Sequence, residues 1–398
     1  MKPIALLAVL GLSAAVPAVA GTITVKPGAN AQESLQAALI DAKPGDTVMI
    51  AAGRYELTDG LSLDIDRVTV KGAGPDKTVL SFKGQKGAGE GLLVTSDDVV
   101  LKGFAVEDSK GDGIKSKGAN RIVYHDLRVE WTGGPKPTNG AYGVYPVESS
   151  DVLIDKVTVK GASDAGIYVG QSKNIVVRNS TAMYNVAGIE IENSYSADVH
   201  SNVAMHNTGG ILVFDLPNLP QKGGHSVRVF KNKVVQNDTA NFAPPGNIVA
   251  GVPNGTGVLI MANRDIHVFD NDIGENGSTN VFIVGYRLKF EDKDYNPLGS
   301  NILVEGNRHG RAGFAPGPQF DGGKELVAMM GSVPPIVWDG TGSNVRIKDK
   351  VPTLSLQLTD PTMRATAASP KVGDFSGGTE IAALPVIVMP AAMEAAIK

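Results

Sequence analysis

The chain has 398 residues with no cysteine, 48 glycines, 6% aromatic residues and a formal net charge of −4. The missing cysteines exclude disulfides and a lipidated thiol anchor, so stability has to come from a buried core. No basic footprint exists and no stretch interleaves Lys or Arg with aromatics, which argues against nucleic acid as a partner.

Residues 1–20 hold one Lys, an apolar run from Ile4 to Val16, and Ala18–Ala20 before Gly21. This reads as a secretory signal peptide cleaved after Ala20, giving an exported, periplasmic or extracellular protein. Asn30 and Glu33, followed by Leu35, Ala38, Leu39 and Ala42 at helical spacing, predict a capping helix over 30–43 that Pro44 and Gly45 stop.

Five later segments repeat one pattern: Gly143–Val147, Gly166–Gly170, Gly188–Glu192, Gly210–Phe214 and Gly257–Met261. The first four glycines are 23, 22 and 22 residues apart, a period that marks a solenoid. Within each copy the residues one and three after the glycine are apolar except Pro146, the alternation of a strand with one side in a core. A second alternation follows (Ile175 and Val177; Val227 and Val229; Ile266 and Val268), then a short run closing on Asn185, Asn207, Asn237 or Asn276.

Three strands in about 22 residues describe one coil of a parallel β-helix. Asn and Gly are expected at the corners because they tolerate a left-handed backbone. Asn202, Asn232 and Asn271, each five residues before a corner Asn, predict stacked amides. The expected fold is all-β, a single helix of coils over 21–310, with an irregular region 311–398 covering the last coils. Pro385 and Pro390 argue against a membrane helix in Leu384–Met389, and a monomer is expected.

The stretches Gln36–Leu39, Ala42–Val48 and Ala52–Tyr55 resemble the amino-terminal cap and first coil of pectate-lyase-like right-handed β-helix proteins. Glu130–Gly134, Gly161–Ser172, Gly188–Ser194 and Phe214–Pro217 extend the likeness, so that residues 1 to about 310 resemble the exported parallel β-helix repeat-containing proteins of bacteria. The resemblance implies a right-handed β-helix and assigns no activity.

Three corners are long: Trp131–Tyr142, Asp215–His225 and Asp238–Asn254. They are expected to wall a recess on the order of 15–20 Å long, given about 4.8 Å between strands. Its floor would be the outward positions two and four after each glycine: Lys115, Lys117, Tyr145, Tyr168, Glu190, Glu192, Leu212, Phe214, Leu259 and Met261. Rings and carboxylates together suit a sugar.

Glu190 and Glu192 project the same way from one strand, as a pair for acid and base work with Tyr168 beside them. A solvated strand face and a Ca²⁺ site shared with Asp164 or Asp215 are the alternatives for the two glutamates; no other cofactor is indicated. Tyr145, Phe214, Asp215, His225, Trp131 and Asp164 complete the candidate binding residues. Two functional readings stay open: binding, with or without modification, of an extracytoplasmic polysaccharide, and a non-catalytic envelope scaffold that docks a partner protein on the apolar outward residues.

Overall fold

The computed structural model describes residues 20–87, 89–362 and 370–398. The expected signal peptide, residues 1–20, lies outside the described residues except for Ala20. No described helix is long and apolar enough to cross a membrane.

Successive windings stack in register. Ile167, Ile189, Ile211, Val258 and Val281 form one file on a 12-stranded sheet, and Ile175, Ala197, Val227, Ile266 and Ile302 form another on a 20-stranded sheet. The second sheet is two faces joined where Ile122–Glu130 and Ser150–Lys160 run around a corner. Every side chain in these files is fully buried, and each contributes roughly 1.5–3 kcal/mol by leaving water if it is as large as Val or Ile.

The amides stack as expected. Asn185 donates from Nδ2 to Asn207 Oδ1 (3.0 Å), Asn207 to Asn237 (3.2 Å) and Asn237 to Asn276 (3.1 Å). The second column runs Asn202, Asn232, Asn271 and on to Asn307. The left-handed residues are different ones, however. Positive φ falls on Tyr184, His206, Gln236 and Glu275, each just before a ladder Asn. The Asn is kept for its buried amide, and the exposed neighbour takes the strained backbone.

A helix spans Ala31–Asp41, and its Leu35, Ala38 and Leu39 join the core of the first coil. Asn30 precedes it but makes no side-chain cap bond. The Gln36 amide accepts from Ser62 N (2.9 Å) and donates to Ser62 O (3.0 Å), so it satisfies the open edge that the strand Leu61–Leu63 presents.

The boundary expected at residue 310 is corrected. Strands Ile336–Trp338, Ser343–Ile347 and Thr353–Ser355 continue the parallel ladders, and Lys371–Gly373 closes the edge antiparallel. The insertion 310–335, with a helix at Gly323–Met330, interrupts the spacing and hides the repeat. The end of the chain does not cover the last coils either. Met389 and Met393 pack on Val123, Leu153 and Val176 in the middle coils, and Glu394 takes a two-pronged bond from Arg178 (3.0 and 2.7 Å).

Candidate functional site

The outward file of the 12-stranded sheet reads Tyr168, Glu190, Leu212, Leu259, Phe282, and beside it Gly170, Glu192, Phe214, Met261, Val284. The recess expected above this floor is filled over Tyr168, Glu190, Leu212 and Phe214. Val249 and Val252 from the Asp238–Asn254 loop, Leu216 from the Asp215–His225 loop, and Tyr286 and Tyr295 from a further insertion pack on it as a second apolar cluster. Leu212, Phe214 and Leu259 are therefore buried, and the exposed apolar face that motivated partner docking is absent. The lids hold one another: Tyr295 Oη donates to Asp215 O (2.6 Å) and Lys222 pairs with Asp292 (2.7 Å).

Beneath the lids the expected pair survives in another setting. Glu190 is 2% and Glu192 8% exposed, so neither belongs to a solvated strand face. Tyr168 Oη donates to Glu192 Oε1 at 2.6 Å, and the Glu190 carboxyl crowds that of Glu192 closely enough for each to shift the other's titration. Gly170 permits this arrangement, because a Cβ there would overlap Cε1, Oη and Cζ of the Tyr168 ring. Asp164 Oδ2 accepts from Tyr142 Oη (3.4 Å) and Asn247 Nδ2 (3.2 Å). Glu190 Oε2 is buried without a partner. Tyr142, Tyr145 and Tyr168 make an aromatic triad with centroids 4.5–4.9 Å apart.

Burial first, then the crowding of like charges, raises the acids. Glu190 stands well above the carboxylate range, desolvated and facing Asp164 and Glu192. Glu192 is raised by burial against the bonds from Tyr168 and Glu190 that favour its charged form, and Asp164 by burial and then by Glu192. Asp112 rises to about 6 by burial, opposed by Lys115. Tyr168 is pushed far up by burial and then by Glu192, so it is a phenol that can give a proton rather than take one.

The other expected residues divide. Tyr145 is half-buried at the edge of the triad, with Lys115 Nζ 4.9 Å over its ring. Phe214 lies beside Glu192 in register. Asp215 is a turn acceptor for the N–H groups of Gly223 and Gly224 (3.2 and 2.7 Å), raised to about 6 by burial.

His225 lies on the other sheet, stacked on Tyr195 at 4.5 Å. Trp131 is corrected from a binding residue to a core residue. It is 5% exposed, its Nε1 donates to Ser109 O (2.7 Å), and Gly140 and Gly161 leave room for it. Asp215 is taken up by its own turn, and among the described residues no group of three or more His, Cys, Asp or Glu is arranged to hold a metal ion.

Tyr142 and Asn247 belong to the site but carry no motif. The insertion at Gly285–Gly299 did leave a signal: Ile266 to Ile302 is 36 residues against a period of 22. At the corner after the site strands lies an open groove of about 570 Å³, lined by Glu148, Gln171, Lys173, Lys222 and the Tyr195 ring among others. Gln171 N donates to Glu192 O (2.9 Å), which makes groove and acid cluster neighbours.

A family model described as a right handed beta helix region matches residues 70–219. The chain folds as a right-handed parallel β-helix. This β-helix is similar to the A-module of a mannuronan C-5 epimerase from Azotobacter vinelandii, at 15% identity and a TM-score of 0.52, over 84% of this chain and 96% of that one. An alginate lyase from Paenibacillus is similar at 19% identity and a TM-score of 0.47, over 73% and 97% of the two chains. A family 28 exopolygalacturonase from Yersinia enterocolitica follows at 12% and 0.49, over 79% and 67%. No curated protein matches the chain.

Proposed function

We propose that this β-helix binds an extracytoplasmic polysaccharide across the Lys115–Tyr145 surface and the corner groove, and moves a proton at a sugar carbon through Tyr168 and Glu192. The observation that carries the reading is the 2.6 Å bond between the Tyr168 hydroxyl and the Glu192 carboxyl within a buried set of acids that hold their protons near neutrality. In this reading the ionised fraction of Glu192, raised to about 7, takes the proton from the sugar carbon, Tyr168 gives its own to the opposite face, and the proton on Glu192 then returns to Tyr168 along their hydrogen bond; Glu190 and Asp164 keep the cluster's charge low. The half-exposed Tyr145 ring, 4.9 Å from Tyr168, is the cover the sugar displaces.

The mannuronan epimerase of like fold supports a carbohydrate reading by its name, and the leader-like residues 1–20 support export. The test is incubation with uronate-containing and neutral glycans in D₂O, followed by NMR for ring-proton exchange, by absorbance for unsaturated ends and by a reducing-end assay. Exchange or unsaturation that disappears in Tyr168→Phe supports the proposal. Inert glycans throughout, with no binding heat, overturn it.

A further inference from the structure

Next to the acid cluster along the same face, two coils on, lies a cavity of about 360 Å³. Leu259, Met261 and Phe282 form its floor, Ile248 comes from one lid, Phe214 separates it from Glu192, and Leu356 closes the far side. Its lining is mostly apolar, unlike the polar corner groove, and the volume falls in the range of small-molecule sites. An apolar space of this kind holds water poorly, and filling it with apolar atoms is favourable.

Polar side chains break the lining at Asn247, Arg287, Gln319, Asp321 and Asp339. Of these, Gln319 has a side-chain Oε1 that is buried with no hydrogen-bond partner, and a turn of its amide brings that oxygen to the cavity. An unmet buried acceptor is costly, and a donor that reaches it recovers that cost. At the mouth, Arg287 and Asp321 face each other at 3.6 Å, both more than half exposed, so the entrance carries no unbalanced charge that would select an ion.

We infer that this cavity binds a small molecule with an apolar body and a single hydroxyl or N–H donor, the size of an alkylphenol, the body lying on Leu259 and Met261 and the donor on Gln319. It is a site separate from the carboxyl cluster and does not depend on the glycan reading.

The test uses the full chain and isothermal titration with 4-propylphenol, with propylbenzene as the analogue without a donor. Wild type is expected to bind both, and the phenol more tightly by about 3- to 10-fold, the worth of one hydrogen bond. Gln319→Leu should remove that preference and leave propylbenzene unchanged. Val284→Trp and Met261→Trp, which fill the cavity from its floor, should abolish binding of both, with melting curves confirming that each variant is folded. No heat from wild type up to the solubility limit overturns the inference, as does binding that survives in a folded filled variant. A phenol preference that persists in Gln319→Leu overturns the assignment of the donor's partner.

Discussion

Gly170→Ala offers a decisive perturbation of the candidate site. The methyl would occupy space held by the Tyr168 ring, so the ring must turn away and its bond to Glu192 (2.6 Å) is lost. Overpacking in a tight core costs about 1–3 kcal/mol, and a lost hydrogen bond about 0.5–1.5 kcal/mol, so the expected loss is roughly 1.5–4.5 kcal/mol. Equilibrium urea unfolding, followed by fluorescence and circular dichroism together, measures it. The same substitution in a Tyr168→Ala background should be neutral to about 0.5 kcal/mol, because the clash partner is gone. In the glycan exchange assay Gly170→Ala should be as inactive as Tyr168→Phe. An equal stability loss in both backgrounds would show that Gly170 is needed for some other reason and would refute the account.

Asp112 rises from its ordinary 3.8 to about 6, so between those values the folded state holds a proton that the unfolded state releases. Its effect on stability is therefore neutral at pH 4 and unfavourable by roughly 3 kcal/mol at pH 8, at 1.36 kcal/mol per pKa unit; Asp112→Asn should stabilise at pH 8, match wild type at pH 4, and flatten the slope of thermal melting between them. Asn207→Leu leaves Asn185 N, Asn185 Nδ2 and Asn237 Oδ1 short of partners and should destabilise by about 3–5 kcal/mol, whereas a loss under 1 kcal/mol in urea unfolding would deny the ladder its role. Ending the chain before Glu380 uncovers Val123, Leu153 and Val176, with a lower melting temperature and new binding of an apolar dye expected; an unchanged melt and no dye signal would mean the contact is dispensable.

Much of the fold was legible because a solenoid writes its geometry as spacing. The 22-residue steps place Tyr168, Glu190 and Leu212 in one file, and the structure puts them there. The Asn columns were legible for the same reason, since a shared register implies shared neighbours. Burial was not legible. Alternation says which side of a strand a residue faces, but not that the loop carrying Val249 and Val252 folds back over that side, so a floor expected to be wet became the base of a second core. Trp131 misled because an aromatic at a long corner suits a binding loop, and only the space at Gly140 and Gly161 shows that the ring turns inward. The continuation past residue 310 was obscured by insertion length alone: Ile302 and Val345 are register partners 43 positions apart.

The return of the last residues to the middle windings bears on how the molecule assembles. Coils can add one upon another from local contacts, but the contact of Arg178 with Glu394 spans 216 positions and that of Lys102 with Ala396 spans 294. Closing so long a loop comes late in entropic terms. The stripe at Val123, Leu153 and Val176 therefore stays uncovered while the growing end advances, and the final segment acts as a clasp that fastens only once the whole chain has been laid down.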